Sequence, residues 1–95
     1  MSTDWDKEDF ARADEIINLA NSQLRKATKG KVSAALMFAS ARYCSWVSAT
    51  GFSDGAEMAS MREQTIDYFV DQYREALTQN LDDYIEGFTD YMSKD

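Results

Sequence analysis

Apolar residues recur at helical spacing along most of this chain. Phe10, Ala13, Ile17, Ala20, Leu24 and Ala27 follow one another at alternating steps of three and four residues, the seam of an amphipathic helix. Every second member is alanine, which lets a neighbouring helix approach closely. The stretch from Val32 to Thr50 reads differently, because it is apolar or small nearly all round. Val32, Leu36, Ala39, Tyr43, Trp46 and Thr50 make a bulky face, with Ala34, Phe38, Ala41, Ser45 and Ser48 on the other side. Such a helix is a buried one. Two neighbours in the same chain would cover it, or one neighbour and a second copy. A third seam runs through Ile66, Val70, Tyr73, Leu77, Leu81, Tyr84, Phe88 and Tyr91. Its Leu77–Leu81 step repeats a four-residue spacing, a stutter that predicts a kink or break near residues 78–80.

Local signals set the expected boundaries. Asp6 with Asp9 forms a helix start, with Trp5 and Phe10 spaced as a hydrophobic staple. Arg25, Lys26 and Lys29 suit the negative end of that first helix, and Gly30 suits its stop. Asp54 followed by Glu57 has the form of a capping box, and Asn80 before Asp82 and Asp83 resembles a fresh start. The pattern therefore predicts an all-α single domain over residues 1–95. It is an antiparallel bundle of three long helices at about 7–29, 32–50 and 54–79, with a short fourth helix at about 81–92.

Charge narrows the function classes. The net charge is −7, which repels nucleic acid and anionic lipid. The excess is uneven: residues 1–53 carry seven basic and six acidic side chains, residues 54–95 three basic and eleven acidic. The acidic start has no apolar core, so it does not read as a signal peptide. Five serines, a threonine and Arg42 make residues 32–53 too polar for a membrane span. A single cysteine, Cys44, suits a reducing compartment, so a soluble cytoplasmic protein is expected.

Much chemistry is missing. The chain has no histidine, which removes histidine acid–base catalysis, the usual Cys-His and Ser-His pairs and histidine metal ligation. One cysteine makes no thiolate zinc site, and no phosphate loop or dinucleotide fingerprint occurs. No cofactor and no catalytic residue is called for. Glu63, Asp67, Asp71 and Glu75 form a ladder of acids at i,i+4 spacing, either a solvated face or a surface for a basic partner or a divalent cation. Arg42 is the only charge between Lys31 and Asp54. On a buried helix it needs partners, and a hairpin turn near residue 30 sets it level with Asn18. Asp14, Asn18 and Asn21 are its nearest partners, with Tyr43 alongside. The cluster is either a buried clasp that fixes helix register or a small polar pocket for a carboxylate, phosphate or amide. Tyr43, Trp46, Tyr68, Phe69, Tyr73, Tyr84, Phe88 and Tyr91 are mainly core by spacing, with a leftover patch suited to a protein interface.

Three runs carry a resemblance: Ala13-Asp14-Glu15-Ile16-Ile17-Asn18-Leu19-Ala20-Asn21, the run from Gly30 to Met37 continuing to Ala41-Arg42-Tyr43, and Asn80-Leu81-Asp82-Asp83-Tyr84. Together they resemble a family of small bacterial proteins known as domain of unknown function 3144, over about Phe10 to Tyr91. The resemblance implies a bacterial, cytosolic, all-helical protein and brings no activity, cofactor or catalytic residue. Cys44 stands where the family pattern has a polar residue, which argues against a special thiol role. The sequence thus points to a non-catalytic interaction protein acting as a homodimer. The alternative is a small-ligand module using Asp14, Asn18, Asn21, Arg42 and Tyr43.

Overall fold

The computed structural model describes residues 5–93. Among them the fold is all-α, with three long helices and short C-terminal ones, as the pattern predicts. In chain order the helices are α1 (Lys7–Ser22), α2 (Lys29–Ala49), α3 (Gly55–Ser60), α4 (Arg62–Glu86) and α5 (Phe88–Met92), with one 3₁₀ turn at Gln23–Arg25. Contacts divide the chain into two compact units that part between Ser53 and Asp54.

In the first unit, α1 starts as expected. The Asp9 N–H donates to Asp6 Oδ1 at 3.0 Å, and the Asp6 N–H returns to Asp9 Oδ2 at 3.2 Å. These reciprocal bonds satisfy two of the amides that a helix start leaves without partners. Trp5 and Phe10 meet edge to face, ring centroids 5.2 Å apart. The end of α1 lies well before Gly30. Ser22 Oγ donates to the Leu19 carbonyl at 2.6 Å, and the chain tightens into the 3₁₀ turn. Thr28, rather than Gly30, then punctuates the chain. Its Oγ1 accepts the Lys31 N–H at 3.2 Å, so α2 begins at Lys29 and absorbs Gly30 and Lys31. The expected boundaries of 29 and 32 are corrected accordingly. Around this connection α1, the 3₁₀ turn and α2 touch. Val32, 8% exposed, is the one buried apolar side chain among the described residues. Ala13, Ala20 and Ala27 are half-buried, while Phe10, Ile17 and Leu24 of the same seam are exposed. The less exposed positions of the seam are the alanines.

In the second unit, Asp54 caps α3 as expected, accepting the Glu57 N–H at 2.8 Å. The break then falls at Met61 (φ −109°, ψ 13°), and α4 runs unbroken through residues 78–80. The predicted break there is corrected, and so is the fresh start at Asn80. Thr78 Oγ1 donates to the Arg74 carbonyl at 2.7 Å and Asn80 Nδ2 to the Ala76 carbonyl at 2.8 Å. Both side chains fold back one turn and leave the backbone ladder intact. α4 ends instead at Gly87, where a Cβ would stand 3.2 Å from the Tyr91 ring. That close approach lets Tyr91 donate to Asp83 Oδ2 at 2.7 Å and lie 4.5 Å, centroid to centroid, from Tyr84.

Candidate functional site

The five residues singled out in the sequence lie in the first unit, on α1 (Asp14, Asn18, Asn21) and α2 (Arg42, Tyr43). All five are exposed. No side-chain hydrogen bond or ion pair joins any of them among the described residues. Tyr43 instead pairs with Trp46, ring centroids 5.7 Å apart. The burial expected of Arg42 is corrected: its guanidinium is reachable by water, so the reason for demanding a buried partner lapses.

The acids of α4 are exposed too. Glu63 is paired with Arg62, whereas Asp67 and Asp71 form no ion pair among the described residues. No group of three or more His, Cys, Asp or Glu side chains is placed to hold a metal ion among those residues. A straight helical ridge does not converge on one point. Cys44 is a free, half-buried thiol.

One electrostatic detail escapes the sequence reading. With α2 beginning at Lys29, Lys29 and Lys31 both sit in its first turn, which holds no acid. The helix dipole is positive there and disfavours cations by a few tenths of a kcal/mol or more each. Neither lysine has an ion-pair partner among the described residues. Recognising Thr28 as an N-cap would have located them.

A second detail concerns Tyr91. Its hydroxyl donates to the Asp83 carboxylate, and that bond raises its pKa above the ordinary value; the nearby negative charge acts in the same direction.

Each unit also exposes large apolar side chains. Phe38 is 71% exposed, Tyr43 65%, Trp46 60% and Leu77 42%. Ile66, Val70, Tyr73, Leu81, Tyr84 and Phe88 are exposed with them. Of the eight aromatics expected mainly in a core, only Phe69 is half-buried; the others face solvent in this chain. That expectation is corrected. The leftover patch is most of the seam.

A model of the family described as "Protein of unknown function (DUF3144)" matches residues 10–85. The chain belongs to that family. The matched span begins at Phe10, contains all five polar-cluster residues, and ends at Ile85, before Gly87 and Tyr91. No curated protein and no solved structure matches the chain. No helix among the described residues is long and apolar enough to cross a membrane.

Proposed function

We propose that this chain is a non-catalytic protein–protein interaction module that acts as a homodimer in the bacterial cytosol. The observation that carries the reading is the exposed apolar surface. On α2, Phe38, Tyr43 and Trp46 are 71%, 65% and 60% exposed, and on α4 Ile66, Val70, Tyr73 and Leu77 stand in water as well. Exposed apolar rows of this length, on each unit taken by itself, are the kind of surface that a protein interface covers. One buried valine does not offset the conformational entropy of ordering the long helices. A second copy supplies the missing burial at about 25 cal/mol per Å² of apolar area.

The ligand-binding alternative has no comparable support, because no side-chain contact gathers its five residues. Native mass spectrometry of gently purified protein tests the proposal. A dimer without added mass is expected at micromolar concentration. A monomer carrying a stoichiometric small molecule would overturn it.

A further inference from the structure

We infer that the surface a second copy covers is the apolar stripe of α4, and that what covers it is the α1–α2 hairpin of that copy, with Lys29 and Lys31 set against Asp67 and Asp71. The inference rests on the homodimer reading and adds to it which faces meet.

Three observations carry it. First, α4 is a poor partner for itself. Between Arg62 and Glu86 it holds seven acids and two bases, so pairing α4 with α4 packs like charges together. The half up to residue 53, with seven basic and six acidic residues, is near neutral, so it repels α4 less than a second α4 would, and its bases include Lys29 and Lys31. Second, Lys29 and Lys31 have no ion-pair partner among the described residues and lie in the first turn of α2, where the local dipole disfavours them. Asp67 and Asp71 likewise lack ion-pair partners among the described residues, each one residue after a stripe member, Ile66 and Val70. Each pair of charges supplies what the other lacks. Third, the lengths agree. From Lys31 to Trp46 on α2 the axial rise is about 22 Å, and from Asp67 to Tyr84 on α4 about 25 Å, within two residues of each other. With the acids at the hairpin turn, α4 runs parallel to α2 and brings Tyr84 toward the exposed Tyr43–Trp46 pair. Twofold symmetry makes the contact twice, once for each α4, so a single pairing of faces closes the dimer.

Charge reversal on the full chain tests this. One variant carries Lys29→Glu and Lys31→Glu, which also suits the start of α2; the other carries Asp67→Lys and Asp71→Lys. Each alone sets like charges against each other, and its dissociation constant is expected to rise about tenfold or more at low salt. Mixing the two restores both contacts, so a heterodimer of near wild-type affinity is expected in sedimentation and native mass spectra. Two variants that self-associate like the wild type would overturn the pairing and leave the homodimer standing. Rescue by all four changes in one chain, but not by mixing, would place the contact within a chain and overturn it. A monomeric wild type would remove the homodimer reading itself. Should either variant fail to fold, zero-length cross-linking of mixed ordinary and heavy-nitrogen-labelled wild-type chains decides. Links from Lys29 or Lys31 to Asp67 or Asp71 between differently labelled chains are expected. Their absence, or links confined to chains of one label, would overturn the inference.

Discussion

The unit up to Ser53 and the unit from Asp54 onward use the same element and solve different problems. The first is near neutral in sequence and holds Val32, the one buried apolar side chain among the described residues, with Ala13, Ala20 and Ala27 half-buried. The second is acidic and has no buried residue in α3, α4 or α5. Its least exposed positions on α4, Thr65, Phe69, Gln72 and Ala76, lie to one side of the bulky stripe. The first unit therefore draws some stability from its own packing, while α4 depends on backbone bonding, side-chain propensity and whatever covers its stripe. An amphipathic helix in water gains most of its stability from a packed apolar face. The contrast shows where a partner must act.

Breaking the stripe has the largest expected effect. Leu77→Asp places a charge among apolar residues that association would desolvate, so self-association weakens by about 3 kcal/mol or more. Sedimentation equilibrium measures this, and circular dichroism on the same sample reports whether helix content survives. An unchanged dissociation constant would mean that the stripe remains uncovered in the assembly. Val32→Ala comes next. It removes two methyl groups from the one buried site and costs about 1–2 kcal/mol in urea unfolding. A conservative change at the exposed Val70 should cost the dilute chain much less.

Smaller effects probe the helix starts. Asp54→Ala removes the acceptor for the Glu57 N–H and costs about 1 kcal/mol; Thr28→Ala acts similarly on α2 through Lys31. Hydrogen exchange should show fraying confined to the helix whose cap is lost. The smallest effect is at Tyr91. Asp83→Asn removes the charged acceptor, so the phenol titrates closer to its ordinary value, visible in the phenolate absorbance. The sign is that of a raised folded-state pKa: the Asp83 bond contributes stability fully below about pH 10, and loses it as pH rises through the higher folded value. Helicity near α5 should therefore decline in strongly alkaline solution, and that alkaline decline should be largely absent in Asp83→Asn.

How much of this was legible depended on the range of the interaction. Helix starts at Asp6 and Asp54 follow from one side chain and an amide three residues on, and the linear pattern contains both partners. Thr28 used the same chemistry but was obscured by Gly30, whose reputation as a helix stop outweighed a threonine two residues earlier. The stutter at Leu77–Leu81 misled for a different reason. A change of seam period matters where a partner grips the seam, and within this chain that part of α4 is exposed. For the Arg42 cluster the premise of burial was not met, since Arg42 is exposed and its demand for partners came from that burial.

By itself, then, the sequence determined the helical class, the main starts, the division into near-neutral and acidic halves, and the absence of histidine chemistry. These depend on neighbours within a turn or on composition alone. Tertiary structure alone decided that α2 begins at Lys29, that α4 continues to Glu86, and that nearly all the large apolar side chains stay in water. Periodicity identifies the face that must be covered. Only packing between distant segments decides whether one chain supplies the cover, and among the described residues it buries a single valine.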